Sequence, residues 1–64
     1  MVSKNVWIAR DKDNSIFLYT VEPIKKEEKF IPVEGTDYLE LDESYYPSVT
    51  WDNSPIRLIE KISL

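Results

Sequence analysis

Two runs of β-branched and aromatic residues, separated by five polar ones, constrain this chain more than any other feature. The first, Asn5 to Arg10, contains Val6, Trp7 and Ile8. The second is Ile16-Phe-Leu-Tyr-Thr-Val21. Such side chains suit a pleated surface, and within the second run only Leu18 favours a helix. The intervening Asp11-Lys-Asp-Asn-Ser15 supplies short polar side chains that bond nearby backbone N–H groups. The pattern predicts a β-hairpin of the longer-loop kind. No glycine is present in the turn, so Asn14 is the residue expected at positive φ. In the second strand Ile16, Leu18 and Thr20 point one way, and Phe17, Tyr19 and Val21 the other. Both sets carry large apolar groups, so the sheet is either covered on both faces or curled with an aromatic outer face.

The remaining residues must pack against that hairpin. Glu22-Pro23 ends the second strand, because proline has no N–H and restricts its predecessor. The charged run Lys25 to Lys29 is expected as a loop or as the turn of a second hairpin joining Pro23-Ile24 to Phe30-Ile31. Phe30 to Val33 is a third strand, placed at an edge or strand end by Pro32. A turn over Glu34 to Asp37 leaves Gly35, the single glycine, free to take positive φ. Tyr38 to Leu41 is a short fourth strand. A single helical or 3₁₀ turn is expected over 43–46, with Asp42 as its cap and Pro47 ending it. Ser48 to Trp51 reads as extended and Asp52 to Pro55 as a turn. Residues 56–64 read as a strand on the strength of three isoleucines and the preceding proline, with a C-terminal helix over 56–63 as the alternative.

At 64 residues, this is a single small domain, spanning 1–64. A chain of this length buries only about 60% of its unfolded surface. With neither Cys nor His, it has no disulfide or ordinary zinc site to reinforce it. Stability must come from the apolar core or from association. The expected core is Val6, Ile8, Ile16, Leu18, Phe30, Leu39, Leu41, Val49, Ile56 and Leu58, with Trp7 and Trp51 at its margins. No cofactor is implied.

Charge narrows the functional classes. The net charge is −4, and residues 34–54 hold Glu34, Asp37, Glu40, Asp42, Glu43 and Asp52 with no Lys or Arg. An acidic balance disfavours non-specific binding to nucleic acid or to an anionic membrane. No segment approaches the ~20 apolar residues of a membrane span, and the N-terminal apolar run is too short for a signal peptide. The expected location is therefore cytoplasmic.

Several local patterns carry chemistry in other settings. Asp11-x-Asp13-x-Ser15, with Glu22 in the twelfth position, has the beginning of a calcium-loop spacing. Ile16 stands where such a loop needs glycine, and strands flank it, so turn chemistry accounts for the same residues and no metal is expected. Catalysis is expected to be absent, because adjacent carboxylates on exposed loops lack the burial that separates their pKa values. Trp7, Phe17, Tyr19 and Trp51 could stack nucleobases, yet the basic groups near them are diluted by acids. Tyr45, Tyr46 and Trp51 lie within the acidic segment, where aromatic residues ringed by polar ones form interface anchors. The candidate interaction surface is thus Trp7, Phe17, Tyr19, Tyr45, Tyr46 and Trp51.

Trp7-Ile-Ala-Arg-Asp-Lys-Asp-Asn-Ser-Ile-Phe-Leu18, together with Leu41-Asp-Glu-Ser-Tyr-Tyr-Pro-Ser-Val-Thr-Trp-Asp-Asn-Ser-Pro55, resembles a group of short proteins of unassigned activity encoded by bacteria and their prophages. They share a W-I-A-R-D-x-D-x-S hairpin, a short charged connection with a proline, and a leucine-aspartate turn leading to P-x-V-x-(W/F). The resemblance spans most of residues 6–55. It implies a stand-alone small domain, an accessory protein of a mobile element, and it transfers no functional residues.

The expected fold is all-β: four or five antiparallel strands in a small twisted sheet or an SH3-like, partly closed barrel, with one helical turn near 43–46. The expected function is a non-catalytic module that binds a protein partner or itself. The alternative is a nucleic-acid-associated module or an acidic DNA mimic, which would need Glu34, Asp37, Glu40, Asp42 and Asp52 along one face.

Overall fold

A computed structural model describes residues 2–62 and the side chains of residues 5–59. The opening hairpin joins β1 (Val2–Arg10) to β2 (Ile16–Tyr19), with Trp7 opposite Tyr19 and Arg10 opposite Ile16. Its turn closes through Asp11 N–H donating to the Ser15 carbonyl at 2.8 Å and Asn14 N–H to the Asp11 carbonyl at 3.0 Å. Asn14 takes φ 76° and Gly35 takes φ 84°, as their positions require. The charged run is indeed the turn of a second hairpin, between β3 (Ile24–Lys25) and β4 (Phe30–Ile31). β5 (Tyr38–Leu41) and β6 (Ile56–Ile62) complete the set.

The main sheet has the order β5-β2-β1-β6, and every neighbouring pair is antiparallel. β1 runs past β2, so Val2 to Val6 pair with β6 alone. The small hairpin β3–β4 is a separate two-stranded sheet. The architecture is therefore all-β, but the sheets do not close into a barrel. Pro23 and Pro32 bracket the small hairpin, and neither has an N–H to offer to a bridging ladder. The main sheet consequently keeps two edges, β5 and β6.

Two expected local features differ, and one alternative falls. Among the described residues there is no helix. Where a helical or 3₁₀ turn was expected at 43–46, one i→i+3 bond forms without extending into a helix: Tyr45 N–H bonds the Asp42 carbonyl at 3.0 Å, and the Asp42 carboxylate accepts the Ser44 N–H at 3.0 Å and its hydroxyl. Tyr46, denied the α region by Pro47, takes φ 51° and ends the turn. Ser48 to Trp51 is not extended. Its polar side chains compete for the backbone: the Asn53 side chain accepts from Thr50 N–H at 2.7 Å and donates to the Ser48 carbonyl at 2.8 Å. The helical alternative for 56–63 fails because Ile56 to Ile62 finds a full ladder on β1; Ser63 and Leu64 lie outside the described residues.

Both faces of the sheet are covered, in two separate cores. Ile8, Ile16 and Val49 form one, with Leu18, Leu41, Ile56 and Leu58 packed around it. Ala9, Tyr19 and Phe30 form the other, with Trp7, Phe17 and Trp51. Ile8 and Ile16 are fully buried, and each contributes about 1.5–3 kcal/mol by leaving water. Leu39 was expected inside but is 61% exposed. It lies on the same face as Leu18, its partner across the ladder, but on the edge strand and beyond the loop that delivers Val49. Ala9 and Tyr19 are core residues that alternation alone did not mark.

Candidate interaction surface

Alternation along β1 sends Arg10 to the Ile8 face and Asp11 to the opposite one. Both are buried. The Arg10 guanidinium donates to the carbonyls of Val49 at 2.6 Å, Asn14 at 2.7 Å, Tyr45 at 2.9 Å and Tyr46 at 3.3 Å. Its backbone N–H donates to Ser54 Oγ at 2.9 Å, whose hydroxyl donates in turn to the Thr50 carbonyl. Among the described residues no carboxylate bonds this cation. Its planar fork of donors is used to tie the hairpin turn to the loop of 45–54. A shallow cleft of about 380 Å³ opens beside it, lined among others by Lys12, Glu43, Thr50 and Trp51. No group of three or more Asp, Glu, His or Cys side chains converges on a common point among the described residues.

On the opposite face, three rings form a cluster. Phe17 and Tyr19 have centroids 6.1 Å apart, Tyr19 and Tyr38 6.1 Å at 28°, and Phe17 and Tyr38 6.2 Å, distances at which aromatic pairs attract. Tyr19 is buried, and burial together with the nearby Asp11 carboxylate pushes its phenol up to about 12. Asp11 itself accepts the Phe30 N–H at 2.9 Å, which fastens the small hairpin to the sheet. Burial raises its pKa, more than that hydrogen bond lowers it. Asp13 and Asp42 are depressed instead, by the hydrogen bonds they accept from Ser15 and Ser44. A groove of about 230 Å³ runs between Tyr38 and Pro32 over Phe17 and Phe30.

Trp51 packs edge-on against Phe30 at 5.3 Å. Lys25 Nζ stands 4.3 Å from the Trp51 ring centroid and donates to the Trp51 carbonyl at 3.2 Å, and Lys12 Nζ is 5.6 Å from the same ring. Such contacts are worth about 0.5–1 kcal/mol at a partly exposed site.

The six candidate aromatics thus fall into different settings. Trp7, Phe17 and Trp51 are half-buried on one face of the sheet, Tyr19 is buried beneath them, and Tyr45 and Tyr46 are exposed on the loop whose carbonyls hold Arg10. Two residues left off the candidate surface by the sequence, Leu39 having been assigned to the core, are more open: Tyr38 at 56% and Leu39 at 61%. Their position on a four-residue segment, preceded by a turn and followed by another, was the available signal. The outward backbone groups of β5 have no strand partner among the described residues. Glu34 and Asp37 precede this edge, Glu40 lies within it and Asp42 follows it, while Asp52 belongs to the turn beside Trp51.

These features define an open-edged, two-core β domain with an acidic, partly apolar edge. No protein-family model matches the chain, and no curated protein or solved structure matches it either. No helix among the described residues is long and apolar enough to cross a membrane.

Proposed function

We propose that the protein is a non-catalytic interaction module that receives an extended protein segment along β5. The observation that carries this is the pairing of unused ladder groups with the two most exposed features of the edge, Tyr38 and Leu39, one on each face of the strand. Strand addition takes its affinity from main-chain hydrogen bonds and its selectivity from alternate side chains. Sheet edges are ordinarily blunted by lysine, proline or a bulge. β5 has none of these along its four residues, only Glu40. The acids at Glu34, Asp37, Glu40 and Asp42 favour a segment that alternates Lys or Arg with branched apolar residues. The cytoplasm is the expected setting, and the resemblance to prophage-encoded proteins fits an accessory role.

The test is a fluorescence-anisotropy titration with a labelled peptide alternating lysine and valine. Binding that disappears in Leu39→Lys and survives in Tyr45→Ala supports the proposal. An absence of binding, or binding indifferent to Leu39→Lys, overturns it.

A nucleic-acid role has one observation in its favour, the two lysines flanking Trp51. A stacked base would have to displace Lys25 from the ring. A mobility shift with single-stranded oligonucleotide that weakens with salt and with Trp51→Ala would favour it.

A further inference from the structure

We infer that the segment β5 receives is β6 of a second copy of this chain, joined head to tail; the inference rests on the proposal that β5 is a docking edge. Strand polarity permits it. β1 and β5 run one way, β2 and β6 the other. A copy placed beside the first, with its faces in the same sense, therefore sets β6 against β5 as antiparallel neighbours and continues the sheet.

One register satisfies both faces at once. It places Leu58 opposite Leu39 and Ile56 opposite Leu41 on the face of Ile8. On the face of Tyr19 it places Ile59 opposite Tyr38 and Arg57 opposite Glu40. Directly opposed residues share a face in antiparallel sheets, and apolar or opposite-charge pairs stabilise them. Leu39, Tyr38 and Ile59 are the most exposed large apolar residues of the main sheet, at 61%, 56% and 56%, and this register covers all three. Arg57 and Glu40 are both exposed.

Charge selects unlike edges over like ones. From Phe30 to Ile56 the chain has no Lys or Arg, so β5 against β5 brings acid to acid. β6 carries Arg57 and Lys61 against a single acid, Glu60, a net charge of +1. An interface between two different edges leaves one β5 and one β6 free at the ends of the array, so unless the rotation closes a ring the array grows by successive addition.

Sedimentation over a concentration series tests this. Wild-type mass should rise from the 7.6 kDa of the monomer and pass beyond a dimer. Leu39→Lys blocks the β5 edge and Ile59→Lys the β6 edge; each alone should be monomeric, and their mixture should form a one-to-one dimer through the two intact edges. Glu40→Arg and Arg57→Glu should each weaken association about tenfold or more, and the double exchange should restore it. Circular dichroism confirms that each variant folds, since every altered side chain is exposed. A wild type that stays monomeric into the millimolar range overturns the inference. So does a mixture of blocked variants that stays monomeric, or a plateau at a dimer that survives Leu39→Lys. If self-association fails while the lysine–valine peptide still binds at β5, the docking edge stands and only the identity of its occupant is wrong. If both fail, the edge proposal falls as well.

Discussion

Replacing Arg10 by methionine removes the guanidinium while keeping most of the side-chain stem. Three carbonyls, those of Val49, Asn14 and Tyr45, accept from it at 2.9 Å or less, and Tyr46 accepts at 3.3 Å. A hydrogen bond involving a charged group contributes about 1.5–3 kcal/mol. Taking the lower figure for the three short bonds gives about 4.5 kcal/mol. The carbonyls of Asn14, Tyr45 and Tyr46 belong to exposed residues, so water regains part of those contacts. The Val49 carbonyl, beside a buried side chain, has the least access. The expected loss is about 3 kcal/mol, against a total stability of about 3–10 kcal/mol for a domain of this length. Urea unfolding followed by tryptophan fluorescence measures it, with Trp51 sitting in the loop that Arg10 anchors. Arg10→Lys keeps the charge but cannot fork, and should lose about half as much. The amides of 45–49 should also exchange faster in Arg10→Met. A change below about 0.5 kcal/mol would show that the loop holds its shape without the guanidinium, and the account of Arg10 as its anchor would be wrong.

Other expectations follow from the same contacts. Asp11, its pKa raised by burial, binds more protons folded than unfolded just above the ordinary carboxylate range, so its contribution to stability falls as pH rises through that window. Asp11→Asn should remove this component from the melting temperature measured across about pH 3–6 without destabilising the protein at neutral pH, because an amide oxygen can still accept the Phe30 N–H. Asp13 and Asp42 act in the opposite sense: their depressed pKa values add stability that is lost as pH falls through them. In an ultraviolet titration, the component removed by Tyr19→Phe should appear only near pH 12. Ser54→Ala leaves the Arg10 N–H without its acceptor and should cost about 1–2 kcal/mol in chemical denaturation. Asn14→Val, forcing a β-branched residue to φ 76°, should cost at least about 1 kcal/mol, while Asn14→Gly should be neutral or stabilising.

What the sequence revealed depended on whether the cause was local. The Asp11–Ser15 turn, the positive φ of Asn14 and Gly35, the small hairpin around Lys25–Lys29 and the limits of Tyr38–Leu41 all follow from residues next to one another. Arg10 was hidden for the opposite reason. Its acceptors Val49, Tyr45 and Tyr46 are distant in sequence and use backbone oxygens, which every residue has and no side-chain pattern marks. Leu39 exposes a related blind spot. Alternation correctly assigned it to the face of Leu18, but a face is buried only where something lies on it, and position at a sheet edge depends on the global strand order. Tyr38 was overlooked as a surface residue on the same account. The turn at 42–47 was legible in place but not in form, because a capped start and a following proline suit a single hydrogen-bonded turn as well as a helical or 3₁₀ one.

The pairing of β1 with β6 also governs how the fold is reached in time. Its ladder joins Val2 to Ile62, while the β1–β2 ladder spans only Trp7 to Tyr19. The hairpin can close on the order of microseconds, but bringing β6 back costs the loop entropy of the whole intervening chain. Folding dominated by such distant pairs takes on the order of milliseconds to seconds. During that interval β1 presents a nine-residue edge, longer than either edge of the finished sheet. The late arrival of β6 therefore makes it both the strand that completes the domain and the one whose delay leaves β1 open to the wrong neighbour.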